Sequence, residues 1–244
     1  MGDNKVKKLI HDEIVRLLNN MNALFLDGEL AFITLQQKNE RVIRDKFAYH
    51  LQIYLNSLDK NSNDSKYVVR CEWRDTEESK RTDIAVLKIN KEHSDYYYNN
   101  VIAVIEFKAH NILNNQKGYI KTIFHKDVDK MSILRRKNPK AKDADLYFIL
   151  SLSSHDDNGS PKFKSATTYA PSPRIVEQKI PTDKTSLTLE EYRNQIEELT
   201  SLEDLNVPYK ETTKTLYIGN SFGYTLHQTF VIWGPYEEED IDKV

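Results

Sequence analysis

Cysteine is nearly absent. Cys71 stands alone in 244 residues, which excludes an intramolecular disulfide and fits a reducing compartment such as the cytoplasm. A free cysteine inside an apolar strand reads as core rather than nucleophile. No apolar run approaches about 18 residues, so the sequence predicts no membrane-spanning helix and no membrane partner. Nor does the N-terminus carry the uninterrupted apolar stretch of a signal peptide. Only seven glycines occur, with no phosphate loop ending in Gly-Lys-Ser/Thr and no Gly-x-Ser-x-Gly elbow. Seven histidines occur without zinc-ligand spacing. Neither charge sign dominates, because the formal net charge is -2. Internal repeats are absent.

What is present is a mixed chain, 39% hydrophobic and 30% charged, long enough to bury a sizeable core. Residues 4–19 have the period of an amphipathic helix, with Val6, Leu9, Ile10, Ile14, Leu17 and Leu18 on one side. "ALFLDGELAFITL" is too short and apolar for periodicity to decide. Asn39 is placed to cap a second helix, "ERVIRDKFAYHLQIYLNSL", striped by Ile43, Phe47, Leu51 and Leu58. Three strands follow, "KYVVRCEWRD", "TDIAVLKIN" and "VIAVIEFKA", with polar connectors that suggest an antiparallel meander. A helix, "FHKDVDKMSILRRK", and a buried strand, "ADLYFILSL", come next, so the last strand can run parallel to its neighbour. Residues 153–185 read as a long polar loop, and such loops are usually functional or disordered. An acidic helix near 188–200 and two strands near 212–218 and 224–233 complete the chain. The expected organisation is a core at 1–152, the loop at 153–185, and an addition at 186–244 within the same domain or a subdomain.

"VIAVIEFKAH", residues 101–110, places Glu106 and Lys108 two positions apart in an apolar strand. Strand side chains alternate, so Ile102, Val104, Glu106 and Lys108 are expected on one face. Burying such charges is costly unless they are paired or bind a metal. The preceding strand begins "RTDIAVL", which brings Asp83 toward the same sheet end if the two strands pair. Adjacent carboxylates repel, and a hard divalent cation such as Mg²⁺ relieves that repulsion. Beside a phosphate, a lysine can orient water or stabilise developing charge. Glu40 shares the inward stripe of its helix and can supply a third acid, although an acid in a first helical turn is favoured by the dipole anyway. The competing reading of Glu106 and Lys108 is a cross-strand ion pair at a sheet edge.

With Phe107 as the variable residue, Asp83, Glu106 and Lys108 resemble the PD-(D/E)-x-K nuclease superfamily, which includes many type II restriction endonucleases. Thr82 stands where that motif has proline. The order α-β-β-β-α-β over roughly residues 39–152 is similar to the family core. The resemblance implies an α/β, restriction-endonuclease-like fold: a mixed central sheet flanked by helices, with an N-terminal helix and a C-terminal helix plus β-hairpin as additions. It implies Mg²⁺, with Mn²⁺ as a substitute, held by Asp83 and Glu106, with Lys108 positioning water or stabilising charge and Glu40 either supporting the metal or acting as a base. The implied activity is DNA endonuclease, of a restriction or related defence kind, with duplex DNA as partner and a homodimer permitted. A catalytically silent nucleic-acid-binding module and an RNA-directed nuclease remain alternatives.

Charge distribution adds candidate phosphate contacts. From Lys108 to Lys142, ten lysines and arginines face two acids, Asp127 and Asp129. Lys117, Lys121, Lys126, Lys130, Arg135, Arg136 and Lys137 are the candidates there. Lys162, Lys164 and Arg174 in the long loop are suited to base edges. An ordinary solvated surface is the competing reading.

Overall fold

The stripe on the second predicted helix sets the arrangement. Ile43, Phe47, Leu51 and Leu55 recur at helical spacing, and all four are fully buried in α3 (Asn39–Asp59). Burying each contributes roughly 1.5–3 kcal/mol. The structure is a computed structural model that describes residues 3–34, 39–59, 65–74, 81–90, 98–111, 117–157, 163–165, 189–200, 210–221 and 224–236.

Three strands follow α3: β1 (Ser65–Trp73), β2 (Thr82–Asn90) and β3 (Tyr98–Asn111). They pair antiparallel in sequence order, as the meander pattern predicts. Helix α4 (Lys117–Lys137) then returns the chain to β4 (Asp145–Asp157), which pairs parallel with β3. Beyond β4 come β5 (Phe163–Ser165), β6 (Lys210–Thr212), β7 (Leu216–Ser221) and β8 (Tyr224–Tyr236). The eight strands form one mixed sheet in the order β1-β2-β3-β4-β8-β6, with β5 beside β4 and β7 beside β8. The molecule is α/β, its sheet flanked by helices.

Two apolar layers sandwich that sheet. On one face, α1 (Asp3–Asn19), the short α2 (Glu29–Thr34) and α3 cover Ala103, Ile105 and Phe107. On the other face, Phe124, Val128 and Met131 of α4 pack on Val104, Phe148 and Trp233, joined by Ile196 of α5 (Leu189–Thr200). Phe124 meets Phe148 and Trp233 edge-on at centroid distances of 5.2 and 5.4 Å. The ambiguous segment resolves into a 3₁₀ turn (Met21–Leu24) followed by α2.

Three sequence expectations are corrected. Ile102 does not share a face with Val104; it packs with Ala103 and Ile105 toward α1–α3. The register explains this, since Val86 pairs with Ala103 and Leu87 with Val101, leaving Ile102 as the extra residue of a bulge. Cys71 is exposed rather than core. It lies on β1, which ends the sheet among the described residues. Of the predicted loop, residues 153–157 continue β4 and 163–165 form β5, while the rest lies outside the described residues.

Candidate functional site

Strand register lines up three carboxylates. Ile84 pairs with Ile105, so Asp83 stands opposite Glu106. Cys71 pairs with Ile84 and Trp73 with Thr82, so Glu72 stands opposite Asp83 on the other side. Like charges facing each other across strands are destabilising, so this row needs cations. Among the described residues it has four nearby, Arg44, Arg81, Lys108 and Lys130.

Lys108 sits among four acids. Its Nζ lies 3.5 Å from Asp83 Oδ2, 3.9 Å from Glu106 Oε2, 4.0 Å from Glu40 Oε1 and 3.3 Å from Asp127 Oδ2. The four come from β2, β3, α3 and α4. The structure thus brings Asp83, Glu106 and Lys108 of the motif together with Glu40. Burial alone would depress the Lys108 ammonium, yet the surrounding carboxylates outweigh it and hold the group well above the usual lysine value.

The acids differ in environment. Glu106 is fully buried; burial and the neighbouring Asp83 push its carboxyl up to about 8, despite Lys130 Nζ at 2.6 Å from Oε2. Burial would also raise Asp83, but Lys108, the Phe107 N–H at 2.9 Å and Arg44 together hold it below its ordinary value. The Asp83 N–H donates to Glu106 Oε1 at 3.4 Å. Glu40, in the first turn of α3, accepts from the Ala109 N–H at 3.2 Å, and burial raises its carboxyl in spite of Lys108.

Sequence reasoning missed Arg44, Glu72 and Asp127. Arg44 follows Glu40 by one helical turn and shares its stripe, so the same count that found Glu40 also reaches Arg44. Its guanidinium is almost wholly buried, 3.1 Å from Asp83 and 3.3 Å from Glu72, and it also binds Asp45 at 2.8 Å. Glu72 takes φ 49°, a left-handed conformation that residues with a Cβ seldom adopt. It also binds Arg81 at 3.2 Å. Asp127 borders the apolar stripe of α4, and only its contact with the sheet distinguishes it from Asp129, which is exposed.

The remaining predicted residues scatter. Lys130 turns inward to Glu106 and Asp127. Lys126 is exposed on α4 and Lys121 half-buried. Arg136 and Lys137 are exposed in the last turn of α4, while Arg135 Nε donates to the Lys142 carbonyl at 3.1 Å. Because α4 runs back toward the first residues of β4, which pair with Ala103, its basic end lies at the opposite end of the sheet from Lys108. Lys117 opens α4 and Lys164 lies in β5, both outside the described side chains; Lys162 and Arg174 lie outside the described residues altogether.

Could these residues hold a metal? Among the described residues, no three carboxylate, thiol or imidazole side chains converge as a ready ligand set, and ammonium groups stand between the acids. The donors nevertheless suit a hard cation. Asp83 and Glu106 are side-by-side oxygen donors on adjacent strands, and the buried Oε2 of Glu106 accepts no directed hydrogen bond. No family model, curated protein or solved structure matches the chain.

Proposed function

We propose that this chain is a Mg²⁺-dependent endonuclease hydrolysing DNA phosphodiester bonds, with a restriction-endonuclease-like core of the PD-(D/E)-x-K kind and a role in restriction or related defence. The observation that carries the reading is the meeting of Asp83, Glu106, Glu40 and Lys108 at one sheet end, with Glu106 fully buried. A fully buried carboxylate is seldom retained without pairing or ligation.

Asp83 and Glu106 would hold the ion, with Glu40 completing the set. Bound there, Mg²⁺ would supply Lewis-acid stabilisation and lower the pKa of water. Lys108 presents an ammonium where charge develops on the phosphoryl oxygens as water attacks phosphorus and the P–O bond breaks. In the alternative role, Glu40 would not ligate the ion but, its carboxyl raised by burial, would take the proton from that water. Arg44 holds the Asp83 carboxylate in place. Lys126 and the basic last turn of α4 offer phosphate contacts along a helix about 31 Å long, enough for an extended polymer rather than a mononucleotide.

One observation favours a second reading. Among the described residues four cations already pair with the carboxylate row, as a catalytically silent nucleic-acid-binding module would also arrange. Plasmid digestion separates the two. Supercoiled DNA incubated with the chain and Mg²⁺ should be nicked or linearised, and neither chelator nor Asp83→Asn should permit it. Cleavage by folded Asp83→Asn at the wild-type rate, or no cleavage of DNA or RNA by wild type in Mg²⁺ or Mn²⁺, defeats the proposal.

A further inference from the structure

Glu106 Oε2 is buried and has no directed hydrogen bond, yet the Lys130 ammonium lies 2.6 Å away. That ammonium arrives from α4, not from the strands that carry the motif. The two lysines at the site are held differently. Lys108 is shared by four carboxylates and donates to the Phe107 carbonyl at 3.1 Å, so no single exchange releases it. Lys130 has two acidic partners, Glu106 and, at 3.9 Å, Asp127 one helical turn back. Its side chain keeps 17% exposure, and its stem is long enough to swing outward from the helix.

Resting on the nuclease reading, we propose that Lys130 is an exchangeable partner: it pairs with Glu106 in the cation-free protein and is displaced when a divalent cation binds between Glu106 and Asp83. The physical reason is competition for one oxygen. A buried carboxyl oxygen left without a partner is costly, so Lys130 at 2.6 Å stabilises the resting site. A divalent ion on the same carboxylate would face the ammonium at close range, where two cations repel strongly in a poorly solvated place. Displacement removes that repulsion and sends a primary amine to the rim of the site. Asp127 gives the released lysine a fixed neighbour, since the i, i+3 spacing keeps the two on one face of α4.

Ca²⁺ binding, followed by calorimetry without nucleic acid, tests this directly. Lys130→Gln and Lys130→Met should bind Ca²⁺ at least about tenfold more tightly than wild type, about 1.4 kcal/mol. Lys8→Met, which removes an equal charge from an exposed position on α1, should leave the affinity unchanged. A second measurement uses wild type alone: acylation of the Lys130 amine, mapped by mass spectrometry, should rise when Ca²⁺ is added. It does not depend on the variants folding. Wild-type Ca²⁺ binding with no tightening in folded Lys130 variants, or Lys130 acylation unchanged or reduced by Ca²⁺, overturns the exchange while leaving the nuclease reading standing. Absence of Ca²⁺ binding by wild type and variants alike overturns both.

Discussion

Arg44 Nη1 donates to Asp83 Oδ1 at 3.1 Å, and this bond joins the first turns of α3 to the start of β2. The same guanidinium separates Asp83 from Glu72, two carboxylates that stand opposite each other across β1 and β2. Arg44→Ala would leave both acids facing each other. Breaking a fully buried pair costs about 3–5 kcal/mol, but Glu72 is 38% exposed and water compensates part of that loss. The expected loss is therefore about 2–3 kcal/mol, read from urea unfolding. Arg44→Lys should recover only part, because an ammonium cannot span both carboxylates as the planar fork does. Unfolding midpoints equal to wild type for both variants would remove Arg44 from the framework of the site.

Lys108 separates a chemical role from a structural one. In Mg²⁺, Lys108→Ala should cleave DNA at least about 100-fold more slowly, the scale of losing one transition-state donor. In Ca²⁺ it should bind DNA within about tenfold of wild type. Lys108→Arg should not restore the rate, since the guanidinium is larger and differently shaped. Because four carboxylates share this ammonium, Lys108→Ala should also gain more thermal stability from added Ca²⁺ than wild type does. Single-turnover rates and melting on the same preparation check both outcomes. A stable variant cleaving at the wild-type rate would exclude Lys108 from the reaction.

Glu106 makes stability depend on pH in a definite direction. Its folded carboxyl is raised to about 8, whereas in the unfolded chain it titrates near 4.5. Between those values the folded state binds the extra proton, so rising pH favours unfolding. The stabilising contribution is complete below about pH 4.5 and is lost as pH passes through about 8. Asp83 has the opposite sign, but its window lies below its unfolded value of 3.8 and does not overlap. In chelator, the urea midpoint of wild type should fall from pH 5 to pH 8.5, and Glu106→Gln should show a smaller fall. Parallel profiles for the two proteins would contradict this environment for Glu106.

Binding of duplex DNA in Ca²⁺ should weaken with salt. Each phosphate contact contributes about 0.9 to the slope of log affinity against log salt. The exposed Lys126, Arg136 and Lys137 are the side chains of α4 to test, and each alanine variant that removes a contact should reduce the slope by that amount. A wild-type slope near zero would rule out α4 as a phosphate-binding element.

Much of this architecture is legible locally. Strand alternation and helix stripes depend only on residue order, so α1, α3, the three-strand meander, α4 and β4 are all foreseeable, as is the inward position of Glu40. The charges in "VIEFK" declare themselves because a carboxylate and an ammonium are out of place in an apolar strand. Other features exist only through pairing between distant segments. The bulge at Ile102 arises from the register of β2 on β3, and no single-strand pattern encodes it. The exposure of Cys71 follows from β1 ending the sheet, a property of strand order. Glu72 and Arg44 become neighbours of Asp83 only when β1, β2 and α3 are assembled. Asp127 and Lys130 look like ordinary helix-surface residues until α4 packs on β3 and turns them toward Glu106. Residue order alone shows which strand carries the misplaced glutamate and lysine, because burial cost is a local property. Tertiary structure alone decided which cations neutralise that pair, because Coulomb attraction depends on distance in space and not along the chain.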